Sequence, residues 1–410
     1  MSGNRSLEAH SHPRITMKKT IKDIDIKNKR LLIRVDFNVP LDEDLKVSDD
    51  SRIRASLPTI NYCLERGSKI ILMSHLGRPD GKVVEKMRLT PTAKRLAELM
   101  GKEVKKTDDC IGDAAKKAFA NLKEGEILLL ENLRFHPEEE ENNSDFAREL
   151  SHYGEIFVND AFSAAHRAHA STTGVAKFLP SVAGLLMEKE ILYLEKLLHE
   201  PAHPFVVILG GAKIADKIGV IENIAKKLDS LIIGGAMAST FLKAQGKEMG
   251  SSKVEMEKLD IAVTLLKNIG SALLLPTDLV IANRFSRDAE TRNTEAGNIP
   301  DDWMAMDIGS RSITRFCEVL KGAKTVLWNG PVGVFEMSPF AKGTEAIARF
   351  LSQLDATVVI GGGDTVSAIR HFGLTDCYSH VSTGGGASLE FLEGKTLPGI
   401  AVLEDKDSCN

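Results

Sequence analysis

Short runs of Val, Ile and Leu recur along this chain, and the stretches between them carry apolar residues at helical spacing. In the first half the runs are Leu31–Val35, Lys69–Met73, Glu126–Leu130 and Glu155–Val158. In the second half they are Phe205–Leu209, Ser230–Ile233, Ala272–Leu275, Thr325–Trp328 and Ala356–Ile360. Unbroken apolar runs of this length suit strands covered on both faces, the environment of a parallel sheet. Segments between them, such as Thr92–Met100 and Lys342–Leu354, are predicted helices, and the alternation indicates an α/β architecture.

Residues 181–200, SVAGLLMEKEILYLEKLLHE, lie between the two halves with Pro180 before them and Pro201 and Pro204 after. Proline punctuates helices, so the bracket predicts one helix over Ser181–Glu200. Leu185, Leu186, Ile191, Leu194 and Leu198 would form its buried side. It reads as a linker helix, with a core helix of a single domain as the competing reading. A chain of 410 residues is long for one core. The expected fold is therefore α/β, with two Rossmann-like parallel-sheet domains, 17–180 and 201–395, joined by this helix with a cleft between them.

Composition narrows the function by exclusion. The net charge is −4, which gives no global attraction to nucleic acid or an anionic membrane, so any anion site must be built locally. No run of 18 apolar residues occurs. Cys63, Cys110, Cys317, Cys377 and Cys409 are scattered, without a C-x-x-C pair, and read as the reduced thiols of a cytoplasmic protein. The first sixteen residues are polar and lack the apolar segment of an export signal. They are expected to be a disordered leader, with Met17 an alternative start and His10 and His12 solvated.

Ligands of open parallel sheets bind beyond the carboxyl ends of the strands. In the first half those ends carry RVDFNVP (34–40), SHLGRP (74–79), ENLRF (131–135) and NDAFSAAHRAH (159–169). In the second they carry LGGAK (209–213), GGA (234–236), WNGPVG (328–333), GGGDT (361–365) and TGGG (383–386). Of the 33 glycines, 10 precede residue 201 and 23 follow it, whereas 13 arginines precede it and 7 follow. Guanidinium forks suit carboxylate and phosphate oxygens. Arg78, Arg134 and Arg167, with His75, can thus form a pocket for a small polyanion, although each alone could be a surface or salt-bridge residue.

Glycine clusters let backbone approach a ligand closely. Gly361–Thr365 runs into a helical segment whose first amides can bind phosphate oxygens. Asp364 beside phosphates implies Mg²⁺, with a plain helix cap as the alternative. Thr365 could contact phosphate or stabilise the first turn. Lys213 and Lys217, four apart, would share a helix face and either flank an anion or sit solvated. There is no G-x-x-x-x-G-K-[ST], the glycine triplets miss G-x-G-x-x-G, and no zinc spacing occurs.

These loops resemble the signature segments of phosphoglycerate kinases. RVDFNVP, SHLGRP, ENLRF, AHRAH (165–169), GGAKIADKIGVI (210–221), WNGPVGVFE (328–336), GGGDT and STGGGASLEFLEGK (382–395) stand in that family's order between residues 34 and 395. The resemblance implies a monomeric, two-lobed glycolytic kinase. Its N-terminal domain would bind 3-phosphoglycerate or 1,3-bisphosphoglycerate, its C-terminal domain would bind ADP or ATP with Mg²⁺, and 396–410 would return to the first lobe. It implies Asp36 and Asn38 at the glycerate, His75, Arg78, Arg134 and Arg167 at its phosphate, and Arg52, in preference to Arg54, at the reacting carboxyl. It also implies Lys213, Gly361 and Gly384 at the transferring group, and Lys217, Gly362, Gly363 and Thr365 at the nucleotide phosphates. Glu336 would meet the ribose, Gly235 and Gly309 the adenine, and Asp364 the magnesium. Ser163-Ala164, Ser310 and Ala238-Ser239-Thr240 depart from the family's usual residues.

Non-kinase readings are a two-lobed solute-binding module, an oxidoreductase and an inactive kinase-fold scaffold. The missing export signal and glycine motif weigh against the first two. Direct transfer to a carboxylate or to an ADP oxygen needs no general base, which fits an inventory of Arg, Lys and Gly.

Overall fold

The computed structural model describes residues 17–406. The leader at 1–16, with His10 and His12, and Cys409 lie outside the described residues. Two six-stranded parallel sheets organise the chain. The first contains β1 (Arg30–Arg34), β2 (Lys69–Met73), β3 (Val104–Lys106), β4 (Ile127–Leu129), β5 (Ile156–Asn159) and β6 (Ser181–Ala183). Their spatial order is β3-β4-β2-β1-β5-β6. The second contains β7 (Phe205–Leu209), β8 (Ser230–Ile233), β9 (Leu273–Leu274), β10 (Thr325–Asn329), β11 (Thr357–Gly361) and β12 (His380–Val381). These run β9-β8-β7-β10-β11-β12. In each sheet the first strand is central and the order reverses beside it, the arrangement that opens a ligand crevice at the strand ends.

Alternate residues of the central strands feed different cores. Ile33, Leu72, Leu129 and Val158 pack on one face of the first sheet, and Leu32, Ile71, Leu128 and Phe157 on the other. Val207, Ile233 and Val359 are separated in the same way from Ile208, Ile232 and Ile360 in the second. Each apolar run read from the sequence contains a strand, shifted by a residue or two at most. Of these two sheets, the strands it did not reveal, β3, β6 and β12, are short edge strands, where one side lacks a neighbour and no apolar run is needed; it also missed a small antiparallel sheet of Asp278–Ala282, Thr291–Glu295 and Met304–Ile308 and a strand pair at Glu248–Met249 and Asn298–Ile299.

One expected element changes its start. Ser181–Ala183 is not the first turn of a helix but strand β6, paired with β5. The helix spans Leu185–His199. Its first turn is fixed from elsewhere: the Asp160 carboxylate accepts the N–H groups of Leu186 (2.9 Å) and Met187 (3.3 Å). The buried side also differs from expectation. It is Met187, Glu190, Leu194, Leu197 and Leu198, while Leu185, Leu186 and Ile191 are only half-buried. Leu194, Leu197 and Leu198 join the core of the second sheet.

The end of the described chain crosses back to the first sheet. Gly399 N–H donates to Ala165 O (2.8 Å) and Glu404 N–H to Ser181 O (2.9 Å). Lys18 and Asp405 form an ion pair at 2.7 Å. Among the described residues, no helix is long and apolar enough to cross a membrane.

Candidate active site

Because all strands in each sheet are parallel, their carboxyl-end loops gather on one edge. On the first sheet these loops are laced together. Ser74 Oγ accepts Phe37 N–H (2.9 Å), Asn38 Oδ1 accepts Gly77 N–H (2.9 Å), and Asn132 bonds both ways with the Leu76 backbone. This lacing places the polar residues of three loops around one site.

Asp36 is buried and binds Arg52 Nη1 at 2.6 Å. It also accepts the Asn38 N–H (3.0 Å) and the Ser163 hydroxyl. Burial alone would raise its pKa, but Arg52 and these hydrogen bonds together hold it below the usual carboxylate range. Arg52 is the second residue of the Ser51–Leu64 helix, and Nη1 also donates to Asn38 O (3.1 Å).

His75 is buried, and burial followed by the neighbouring Arg34 pushes its pKa well down, so the ring is neutral. Arg34 Nη2 lies 3.0 Å from His75 Nδ1 and can only donate. The His75 proton is therefore on Nε2, available to an acceptor. Arg134 is buried, with Nη1 on Gly77 O (2.9 Å) and Nε 3.2 Å from Glu140. Burial lowers its pKa most, and Arg167 and Arg78 are near enough to add repulsion. Arg78 is exposed, and Arg167 Nε reaches His166 Nε2 at 3.2 Å. His169 is pushed down to about 4 by burial and then by Arg134, Arg34 and Arg167. The structure thus brings together His75, Arg78, Arg134 and Arg167, and adds Arg34, Ser163, His166 and His169. Their sequence signal was membership of the same strand-end segments.

The second sheet opens onto a cavity of about 360 Å³. Lys213, Lys217, Gly362, Gly363 and Asp364 line it, as does Thr365. Gly330 sits at φ +101°, and a methyl group there would overlap the backbone of Gly210. The β7 and β10 loops therefore touch backbone to backbone, which side chains would prevent. Lys213 and Lys217 do not share a helix face. The segment is a loop leading to a 3₁₀ turn at Ala215–Lys217, with the α-helix starting at Ile218, because the glycine turn keeps the chain irregular there. Lys217 is half-buried, and burial lowers its pKa against the opposing influence of Asp216 and Asp364.

The Gly363–His371 helix starts from Gly362 at φ +84°, without a side-chain cap. Asp364 is inside its first turn and exposed, so it is not the cap. The Thr365 hydroxyl is already used, accepting Gly330 N–H at 2.6 Å. Gly361, Gly384, Gly235, Gly309 and Glu336 do not line this cavity. Gly361 is buried at the end of β11, and a methyl on Gly384 would meet Phe162. Gly309 N–H donates to Asp278 O (2.9 Å), and Glu336 is exposed with its carbonyl accepting from Arg287 (3.1 Å).

Glu190, on the buried side of the Leu185–His199 helix, clamps the loop after β12. Oε2 bonds His380 Nε2 (2.8 Å) and Ser382 Oγ (2.8 Å), and Oε1 accepts the N–H (2.6 Å) and hydroxyl (2.8 Å) of Thr383. Sequence reasoning missed it, since a lone Glu on a helix reads as solvated. Asp109, Cys110 and His136 bring ligand-type atoms within 4.8 Å of one another. Asp109 Oδ1 is already occupied by His136 (2.7 Å) and the Cys110 N–H (2.6 Å).

A family model described as phosphoglycerate kinase matches residues 21–395. A phosphoglycerate kinase of Roseiflexus castenholzii is 58% identical over 393 residues, covering 95% of this chain and 99% of that protein. One of Pelotomaculum thermopropionicum is 55% identical over 392 residues, covering 95% and 100%. The solved structure of phosphoglycerate kinase from Coxiella burnetii superimposes with a TM-score of 0.85 at 39% identity, covering 94% of this chain and 98% of that one. That from Pyrococcus horikoshii gives 0.84 at 33%, with the same coverage.

Proposed function

This chain belongs to the phosphoglycerate kinase family, and from that premise we propose how its two strand-end faces divide the reaction. It is a phosphotransferase with a carboxyl acceptor, passing a phosphoryl group reversibly between 1,3-bisphosphoglycerate and ADP to give 3-phosphoglycerate and ATP. The observation that carries the division is the cationic cluster on the first sheet, where Arg34, Arg134 and Arg167 crowd together beside a neutral His75. Such crowding suits a polyanion.

Arg78, Arg134, Arg167 and the Nε2–H of His75 hold the substrate phosphate. Asp36 accepts from the glycerate hydroxyl, and the Asn38 amide nitrogen serves the carboxyl end, its oxygen being taken by Gly77. Arg52, oriented by Asp36, meets the reacting carboxyl. On the other face Lys213 meets the transferring phosphoryl group, with Gly361 and Gly384 beside it, the Gly384 N–H being already given to Ser382 Oγ (3.1 Å). Lys217 and the amides of Gly362, Gly363 and Thr365 take the nucleotide phosphates. Thr365 acts there through its backbone, because its hydroxyl is bonded to Gly330. Gly235 and Gly309 border the adenine and Glu336 holds the ribose.

Asp364 is the residue suited to Mg²⁺. One exposed carboxylate at a phosphate cavity fits an ion that keeps waters and binds mainly through nucleotide oxygens. Bound there, the ion would neutralise phosphate charge. Both nucleophiles are ionised at neutral pH, so no residue need remove a proton. The work of the chain is alignment and charge stabilisation of the transferring group.

Residues 17–180 and 201–395 act as the two lobes of a cytoplasmic monomer, with 396–406 completing the first; 407–410 lie outside the described residues. Closure about the Leu185–His199 helix excludes water from the acyl phosphate. Arg52→Ala and Lys213→Ala should each lower kcat for ATP formation about 10²–10³-fold. Activity within tenfold of wild type for both would overturn the assignment. Small-angle scattering with both substrates tests closure, and an unchanged radius of gyration would refute it.

A further inference from the structure

We propose that Arg370 is a positioning residue for phosphoryl transfer, a latch that holds the helix carrying Arg52 in register with the helix opening onto the nucleotide cavity. Arg370 is the eighth residue of Gly363–His371, so it sits about 10 Å along the axis from the phosphate end of that helix. Its Nη1 forms an ion pair with Asp49, and Nη2 donates to Ser51 Oγ at 3.1 Å. Ser51 is the first residue of the helix whose second residue is Arg52.

The carboxylate of Asp49 works in two directions. Its Oδ1 accepts the Ser51 N–H at 3.0 Å, fixing the start of the helix, while Oδ2 receives Arg370. Asp50 cannot substitute, because Arg54 (2.8 Å) and Arg95 (2.7 Å) already bind it. Among the described residues, Arg370–Asp49 is the one ion pair that joins 17–183 to 201–395. Another contact between these segments lies near the linker helix, where Phe162 meets Phe391 at 6.1 Å between ring centroids. The latch is thus the contact that can fix the two lobes at a second point, and two points define an orientation that a hinge alone leaves free.

Arg370 is 41% and Asp49 28% exposed, which limits the expected effect to about 2- to 5-fold and makes it salt-sensitive. The inference rests on Arg52 and the Gly363–His371 helix being the reacting elements. The test compares Arg370→Met, which keeps the apolar stem, with Asp49→Asn, which keeps the acceptor for Ser51 N–H. Each should lower kcat about 2- to 5-fold with little change in the KM values or the melting temperature, and the double variant should lose no more than either single. Arg370→Lys should recover part of the loss, and 0.5 M NaCl should bring wild type toward the variants. Scattering with both substrates should give a larger radius of gyration for Arg370→Met than for wild type. Wild-type kcat in both single variants, or losses that multiply in the double, would overturn the latch. Arg52→Ala separates the two ideas: if it too is fully active, the site assignment itself has failed.

Discussion

Truncating Glu190 to alanine takes one carboxylate out of the boundary between the linker helix and the loop after β12. Glu190 is completely buried and His380 is 2% exposed, so water cannot replace the lost acceptor. Four donors lose their partner: His380 Nε2–H, the Ser382 and Thr383 hydroxyls, and Thr383 N–H. Ser382 can turn to Ser388 Oγ, 2.7 Å away, and the half-buried Thr383 hydroxyl can reach solvent. The imidazole and the Thr383 N–H remain stranded. Breaking a buried, charge-assisted set of this kind costs about 3–5 kcal/mol. Glutamine should cost only about 1 kcal/mol, because its oxygen can keep Thr383 and its amide can donate to His380 after the ring proton moves to Nδ1, which now has no partner.

Urea unfolding followed by tryptophan emission reads this boundary from one side, since both tryptophans, Trp303 and Trp328, belong to the second half. The midpoint should fall by about 1–2 M for Glu190→Ala and a few tenths for Glu190→Gln. The alanine variant should also lose about tenfold in kcat, because Gly384–Gly386 follow directly from the clamped residues. A midpoint within 0.3 M of wild type together with normal kcat would refute this account of the clamp.

Gly330→Ala forces a methyl group into the Gly210 backbone at a positive φ, so it should lower the melting temperature by several degrees and raise the KM for ADP, read by thermal scans and initial rates. His169 is held near 4 against an unfolded value near 6.5, so the unfolded state binds the extra proton. The contribution is complete above about pH 6.5 and is lost as pH falls toward 4, amounting to at most about 3 kcal/mol. Urea midpoints at pH 7.0, 5.5 and 4.5 should fall less steeply for His169→Gln than for wild type. Asp364→Asn should weaken nucleotide binding about tenfold or more when Mg²⁺ is present and change it little in EDTA, as measured by calorimetry.

The parallel cores were legible because burial on both faces writes itself as unbroken apolar runs, such as Phe205–Leu209. Three of the four edge strands left no such mark: β3, with the sequence Val-Lys-Lys, has no fully buried residue. Arginine and glycine segregation marked the two faces, since guanidinium groups and bare backbone are the direct means of meeting a phosphate. What stayed hidden were polar residues whose partners come from far along the chain. Asp160 caps a helix 25 residues on, Glu190 binds residues 380–383, and Arg370 reaches Asp49. Local pattern carries no trace of a partner that only folding supplies. Ser163, where the family usually differs, proved to touch Asp36 directly.

The returning segment at 397–406 also has a bearing on how the protein is made. Lys19 and Ile21 pair with Ala183, and Glu404 bonds both Ser181 and Lys19, so the outer border of β6 is shared between the segment before β1 and a segment that follows the whole second sheet. The Ala183 end of that border can close early, but the Ser181 end must wait until the second sheet has been made. Synthesis order and assembly order are thereby interlocked: the part made first is the part finished last.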